Sequence, residues 1–523
     1  MSVELLKSCM NVMATQGFSS AAFRDYFMRV KYDLLDDEAV VASLVLAMGQ
    51  PEDPTVNVAA LFELLLDEAR MGLENDSASG PAFLESVETI ISAGLEAGAF
   101  EQGDLMKFAA MYRRAGLSVP DVLTINPDKV TPPASAAGID LDAQLEGLAK
   151  NVQAEGGEAY DLFNGLMEMA ASLPEDMQAG FANHMATLAN PIFERCALYF
   201  LLSESPLIQE ATAAGLLERF ETLGLQSGTL LFQPIVRGWL PAGAARDIID
   251  ALGKRARRKG QAGRVDGQEA AIIHDISASI ADGSGAQSLS VVVERSGKAS
   301  VAMVLTKTGH GIKDAFVVPC ESTLEAGEIL ARVRFETSGA DISLATLEML
   351  LEAALADGIE NGVMPAPGVL DVMESCDLFG LRPQARPLPE LLELVDPERE
   401  IQEAAPQKLG RWINNDIALE SLIPLSHSWF EDNAETRRIM ERSRTARSME
   451  TKLWKHLDER RDIWARRFLQ TAAMLRDAKR IREWKTLSAS AFGLMSGRSL
   501  KRIPLMEAIV FATIEASDAR MSS

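Results

Sequence analysis

The residues best placed to do chemistry lie in one loop, Thr306-Lys307-Thr308-Gly309-His310-Gly311-Ile312-Lys313-Asp314. Its two glycines would let the backbone approach a ligand closely. His310, Lys313 and Asp314 offer a base, an anion clamp and an orienting carboxylate. A plainer account is a polar β-turn, in which glycine is chosen for positive φ and the charges face water. A second pair, His274-Asp275, has the order of a metal-binding dyad. Two ligands alone leave a divalent ion underbound, and the sequence around His184 offers no third. Neither a metal nor any other cofactor is therefore expected.

Basic residues form two further candidates for contact with a partner or with nucleic acid. Lys254, Arg255, Arg257, Arg258 and Lys259 make the densest basic run. It can contact phosphate, but it also falls where a helix should end, and cations there complement the helix dipole. Arg466, Arg467, Lys479 and Arg480 belong to a basic C-terminal segment that also carries Trp454, Trp464 and Trp484. These rings could stack on bases, yet their spacing is that of a buried stripe.

Other chemistries have no pattern to support them. The glycine-rich phosphate loops of nucleotide-binding folds, the H-E-x-x-H metalloprotease motif and the G-x-S-x-G elbow are absent. The four cysteines, Cys9, Cys196, Cys320 and Cys376, are far apart, which suits reduced, mostly buried thiols in the cytoplasm. No stretch reads as a signal peptide or a membrane span.

Charge divides the chain. The net charge is −24, yet residues 431–523 hold 20 Lys and Arg against 13 Asp and Glu. An acidic body with a basic tail argues against nucleic-acid binding through the overall field, and lets the tail dock on its own body.

The elements that must position these residues are mostly helices. Aromatic residues are only 6%, while Ala, Leu and Met are plentiful, a composition that favours helix. At 523 residues several domains are expected. An N-terminal helical domain covers 1–119, with Ser19 or Ser20 and Asp37 as N-caps and Gly49, Gly72 and Gly116 as stops. Residues 75–81 read as a loop and 120–139 as a linker. A helical-repeat-like domain spans 140–259, a small antiparallel sheet with helices 286–430, and a basic helical arm 431–523.

Within the second block, Pro191 opens a helix and Arg195 follows it at Pro-x-x-x-Arg spacing. Helices of similar length continue to Arg258. Over about residues 190–258 the chain resembles HEAT-like α-solenoids, which implies a stacked body and a protein-binding role.

The central sheet rests on three β-branched runs: Ser290–Glu294, Ser300–Thr306 and Asp314–Val318. Short turns join them, so a meander is expected. Residues 268–280 are assigned to a short helix, 328–336 fit either helix or strand, 399–412 to a helix, and 433–495 to one or two long helices. The fold class is mainly α, a multi-helix body open to an irregular solenoid arrangement, with a small β-meander inserted centrally. The functional expectation is a cytoplasmic, bacterial scaffold or adaptor that binds protein. A nucleic-acid accessory factor using the basic arm is the alternative, and an enzyme centred on the 306–314 turn the second alternative; the balance leans away from an enzyme.

Overall fold

A computed structural model describes residues 2–18, 20–48, 58–74, 79–125, 140–261, 263, 269–425, 428–443 and 445–521. The fold is mainly helical, with a central antiparallel sheet. The chain divides into two compact units, Met1–Ile192 and Phe193–Ser523. Among the described residues no helix is long and apolar enough to cross a membrane.

In the first unit, six helices share one core: Ser2–Gln16, Ala21–Asp36, Glu38–Met48, Val58–Glu74, Ser79–Glu96 and Gln102–Arg114. Ser20 Oγ accepts the Phe23 amide at 3.1 Å, and Asp37 Oδ1 accepts that of Ala39 at 3.0 Å, so both act as N-caps. Gly116, at φ +71°, follows the last of these helices as a stop should. Gly49 lies outside the described residues. Gly72 does not stop its helix, which runs to Glu74. It sits where two helices cross closely: a Cβ on Gly80 would lie 3.1 Å from the Gly72 Cα and 2.5 Å from the Ala69 carbonyl oxygen. This crossing draws 79–81 into a helix, against the expected loop; residues 75–78 and 126–139 lie outside the described residues.

Helix Ile192–Phe200 starts at the boundary, and Pro206–Thr222, Ser227–Trp239 and Ala244–Arg258 follow it in the second unit. Glu194 and Arg219 form an ion pair at 2.9 Å, and both are buried. Glu194 Oε2 also accepts the Gln226 amide and the Thr229 hydroxyl, each at 2.9 Å. Arg195 reaches across the sequence to Asp371 at 2.8 Å and stacks 4.4 Å over the Phe232 ring.

Five strands follow: β1 (Ile272–Ala278), β2 (Gln287–Arg295), β3 (Lys298–Lys307), β4 (Gly311–Cys320) and β5 (Ala340–Asp341), in the order β4-β3-β2-β1-β5, all antiparallel. The expected meander is β2 to β4, turned at Ser296-Gly297, both at positive φ, as a two-residue hairpin requires. Within the short helix expected over 268–280, residues 272–278 form β1 instead. Its Ile273 and Ile276 pair with Val293 and Val291, and joining an existing hairpin outweighs any local helical preference.

Residues 328–336 are helical, within Thr323–Glu336. Ser322 Oγ caps the helix through the Glu325 amide at 3.2 Å. The inner side of this helix packs Ala326 and Leu330 on Val292 and Val301. Helices Leu344–Glu360 and Val369–Ser375 pack against β4.

Toward the C-terminus, the helix expected over 399–412 is shorter, Pro406–Ile413. The buried Asp396 carboxylate binds the amides of Ile401 and Gln402 and wraps the preceding chain into turns; Pro406 then occupies the first turn, where its missing N–H costs nothing. The one or two long helices expected over 433–495 are four: Ala434–Arg442, Ala446–Glu459, Arg461–Asp477 and Ile481–Met495. Thr445 caps the second of them, and Lys479 at φ +59° turns the chain between the last two.

Candidate functional site

The β1–β2 and β3–β4 turns meet helices Leu344–Glu360 and Arg461–Asp477 around a cavity of about 180 Å³. Asp282 builds the first turn: its Oδ1 accepts the amides of Ser284 at 2.8 Å and Ala286 at 2.9 Å. Gly285 follows at φ +80°, and a Cβ there would lie 1.9 Å from Thr308 Oγ1, so only glycine lets the two turns approach this closely. The Asp357 carboxylate anchors the second turn. Its Oδ2 accepts the Gly309 amide at 2.6 Å and the Gly311 amide at 3.3 Å.

Helix Arg461–Asp477 supplies the cationic wall. Gln470 follows Arg467 by three residues and Arg466 by four, so it neighbours both on the helix surface, and all three line the cavity with Lys307. Arg466 Nη1 donates to the Arg386 carbonyl at 2.8 Å. Arg467 is 7% exposed; its Nη1 donates to the Gly283 carbonyl at 3.0 Å, and its guanidinium lies 4.5 Å above the Trp464 ring. Among the described residues no carboxylate comes within ion-pair distance of either guanidinium. Burial pushes the Arg467 pKa down to about 10, against the weaker pull of Glu431 and Asp282. Asp357 and the exposed Glu360 also line the cavity.

The residues singled out in the sequence do not all converge here. His310 closes its turn through its amide to the Lys307 carbonyl at 3.0 Å, and its Nδ1 is buried without a hydrogen-bond partner. Lys313 takes the extra position of a β-bulge in β4, Asp314 lies opposite Leu305, and none of these three lines the cavity. His274 stands 3.0 Å from Glu294, and Asp275 2.9 Å from Arg334. No group of three or more His, Cys, Asp or Glu side chains arranged for a metal occurs among the described residues.

The run at 254–259 ends helix Ala244–Arg258. Arg255 pairs with Glu221, Lys259 lies 4.5 Å over the Phe220 ring, and Lys254, Arg257 and Arg258 are exposed. Lys479 is exposed, and Arg480 pairs with Glu483 at 2.9 Å. Trp464 is fully buried, whereas Trp454 and Trp484 are half-buried.

Reasoning from sequence found Arg466 and Arg467 but not Gly285, Asp357 or Gln470. The spacing of Arg466, Arg467 and Gln470 was a usable signal; the approach of Gly285 and Asp357 depends on tertiary packing and left none.

Comparison with known proteins gives four family models in sequence along the chain. They are the y4lR N-terminal domain at 3–120, the y4lR second domain at 174–260, a domain of unknown function (DUF7401) at 268–378 and the y4lR C-terminal helical domain at 389–518. A protein of Sinorhizobium fredii, named "Uncharacterized protein y4lR", is 49% identical over 515 residues, spanning 98% of this chain and 99% of the relative. The stretch at about 190–258, expected from its sequence to be HEAT-like, falls within the y4lR second-domain match, and no HEAT-repeat family model matches there. No solved structure matches.

Proposed function

The chain belongs to the y4lR family, and from that premise we propose that it is a cytoplasmic helical scaffold or adaptor whose partner is another protein. One observation carries this reading. Helix Thr323–Glu336 buries its inner side on the sheet and turns a row of Leu324, Glu328, Ala331 and Phe335 outward, with Leu324 73% and Phe335 87% exposed. These four positions fall on one stripe of a helix, and its two apolar ends are roughly 16 Å apart at 1.5 Å per residue. Leu324 and Phe335 are the two most exposed large apolar side chains among the described residues, and a partner that covers them would take both out of water. The four free cysteines, three of them buried, fit a reducing compartment.

A nucleic-acid role rests on the exposed Lys254, Arg257 and Arg258 and on Lys479. Much of the other basic charge is already engaged, Arg255 by Glu221, Arg480 by Glu483 and Arg467 inside the fold.

Affinity purification of the full chain at low and high salt separates the readings. A protein retained in near-equal amount at high salt supports the adaptor. Nucleic acid recovered at low salt and lost steeply as salt rises supports the alternative.

A further inference from the structure

The cavity beside the β1–β2 and β3–β4 turns joins four features. It is a half-open cavity of about 180 Å³, it is lined by three cations against two carboxylates, one of the cations is deeply buried, and the turns that shape it are held by side-chain hydrogen bonds. A buried guanidinium normally carries a carboxylate against it, because an uncompensated charge in the interior is costly. Arg467 instead has a carbonyl, Gly283, and an aromatic face, Trp464. Arg466, one residue earlier, is likewise held by a carbonyl, that of Arg386. Neither contact neutralises its charge.

From this arrangement we infer that the cavity binds a small phosphoryl oxyanion, held by Arg466 and Arg467 with Lys307 and Gln470 beside them. Guanidinium donors match the tetrahedral oxygens of phosphate, and a doubly charged group answers two neighbouring cations better than one carboxylate does. The two carboxylates do not contradict this. Asp357 already accepts two backbone amides, and Glu360 is exposed, so solvent screens its charge. The cavity is below the roughly 300 Å³ at which drug-sized pockets begin, so the ligand is a free phosphate or a small phosphate monoester. The site is independent of the apolar row on helix Thr323–Glu336.

Isothermal titration of the full chain tests this, with inorganic phosphate in one arm and glycerol 3-phosphate in the other. Saturable heat in the first arm alone assigns the free anion; in the second alone, or more tightly there, the monoester. Arg466→Gln removes a cation at a half-buried position and should weaken binding about tenfold. Arg467→Met should abolish it, with circular dichroism confirming that the variant is folded. If Arg467→Met fails to fold, the Arg466→Gln result decides. No saturable heat in either arm, or affinity unchanged in Arg466→Gln, overturns the inference.

Discussion

The Arg467 guanidinium lies 4.5 Å above the Trp464 ring, and that ring is itself fully buried with its indole N–H donated to Glu431 at 2.8 Å. Glu431 also receives Arg460 at 2.8 Å and Asn433 at 2.8 Å. The carboxylate therefore bonds Trp464 and Arg460 directly, while Arg467 stays outside ion-pair distance and feels its charge only at longer range. Trp464→Leu removes the ring. It should lower stability by roughly 3 kcal/mol, through lost packing and a Glu431 oxygen with one donor fewer, and urea unfolding measures it.

The buried Glu194–Arg219 pair predicts a second large effect. Glu194→Gln leaves the Arg219 charge in the interior without its counterion. The expected cost is about 3 to 5 kcal/mol, seen as a lower urea midpoint at unchanged slope. A loss below about 1 kcal/mol would mean that the pair contributes no more than a surface ion pair.

Gly285→Ala should destabilise the protein in two separable ways, through positive φ and through collision with Thr308 Oγ1. The strain of the backbone alone is about 1 kcal/mol, and the collision adds to it. Thr308→Ala removes the nearest colliding atom and leaves Thr308 Cβ at 2.7 Å, so the double variant should recover part of the loss and be more stable than Gly285→Ala. Strict additivity of the two single effects would contradict the close approach.

Thiol reactivity should single out one cysteine. Burial pushes Cys9 up to about 11 and Cys376 up to about 12, and raises Cys196 further still. Cys320 is raised by a partial burial and is only half-covered. At pH 8 a thiol reagent should modify Cys320 alone in the native protein and all four in denaturant, with peptide mapping as the readout.

Acid should weaken the C-terminal helices through His456. Burial lowers its pKa below the ordinary 6.5, outweighing the attraction of Glu431, with Arg460 adding to the depression. Between the folded value and 6.5 the unfolded chain binds a proton that the native one does not, so stability falls as pH drops through that window. In His456→Gln, the loss of thermal stability between pH 7.5 and pH 5.5 should be smaller than in the unaltered chain.

Local pattern was enough where neighbours in sequence are neighbours in space. The β2–β4 meander followed from Val291–Val293 and the Gly297 turn, and the caps at Ser20 and Asp37 from their side chains. It was insufficient wherever a distant partner decided the outcome. Ile273 and Ile276 became strand because β2 offered them a ladder, and Gly72 stayed helical because Gly80 crosses it. Half of the candidate site was readable as a basic helical face; the half contributed by Gly285 and Asp357 exists only once the turns are docked.

The adaptor reading is tested most directly by replacing both ends of the outward row. The full chain and its Leu324→Asp/Phe335→Asp variant would be affinity-purified side by side at high salt, with proteins quantified by mass spectrometry. Because both positions are exposed, the variant should keep its thermal midpoint. A specific protein retained by the unaltered chain and lost from a folded variant is the predicted result. Equal recovery from both, or no protein retained by either, would contradict it.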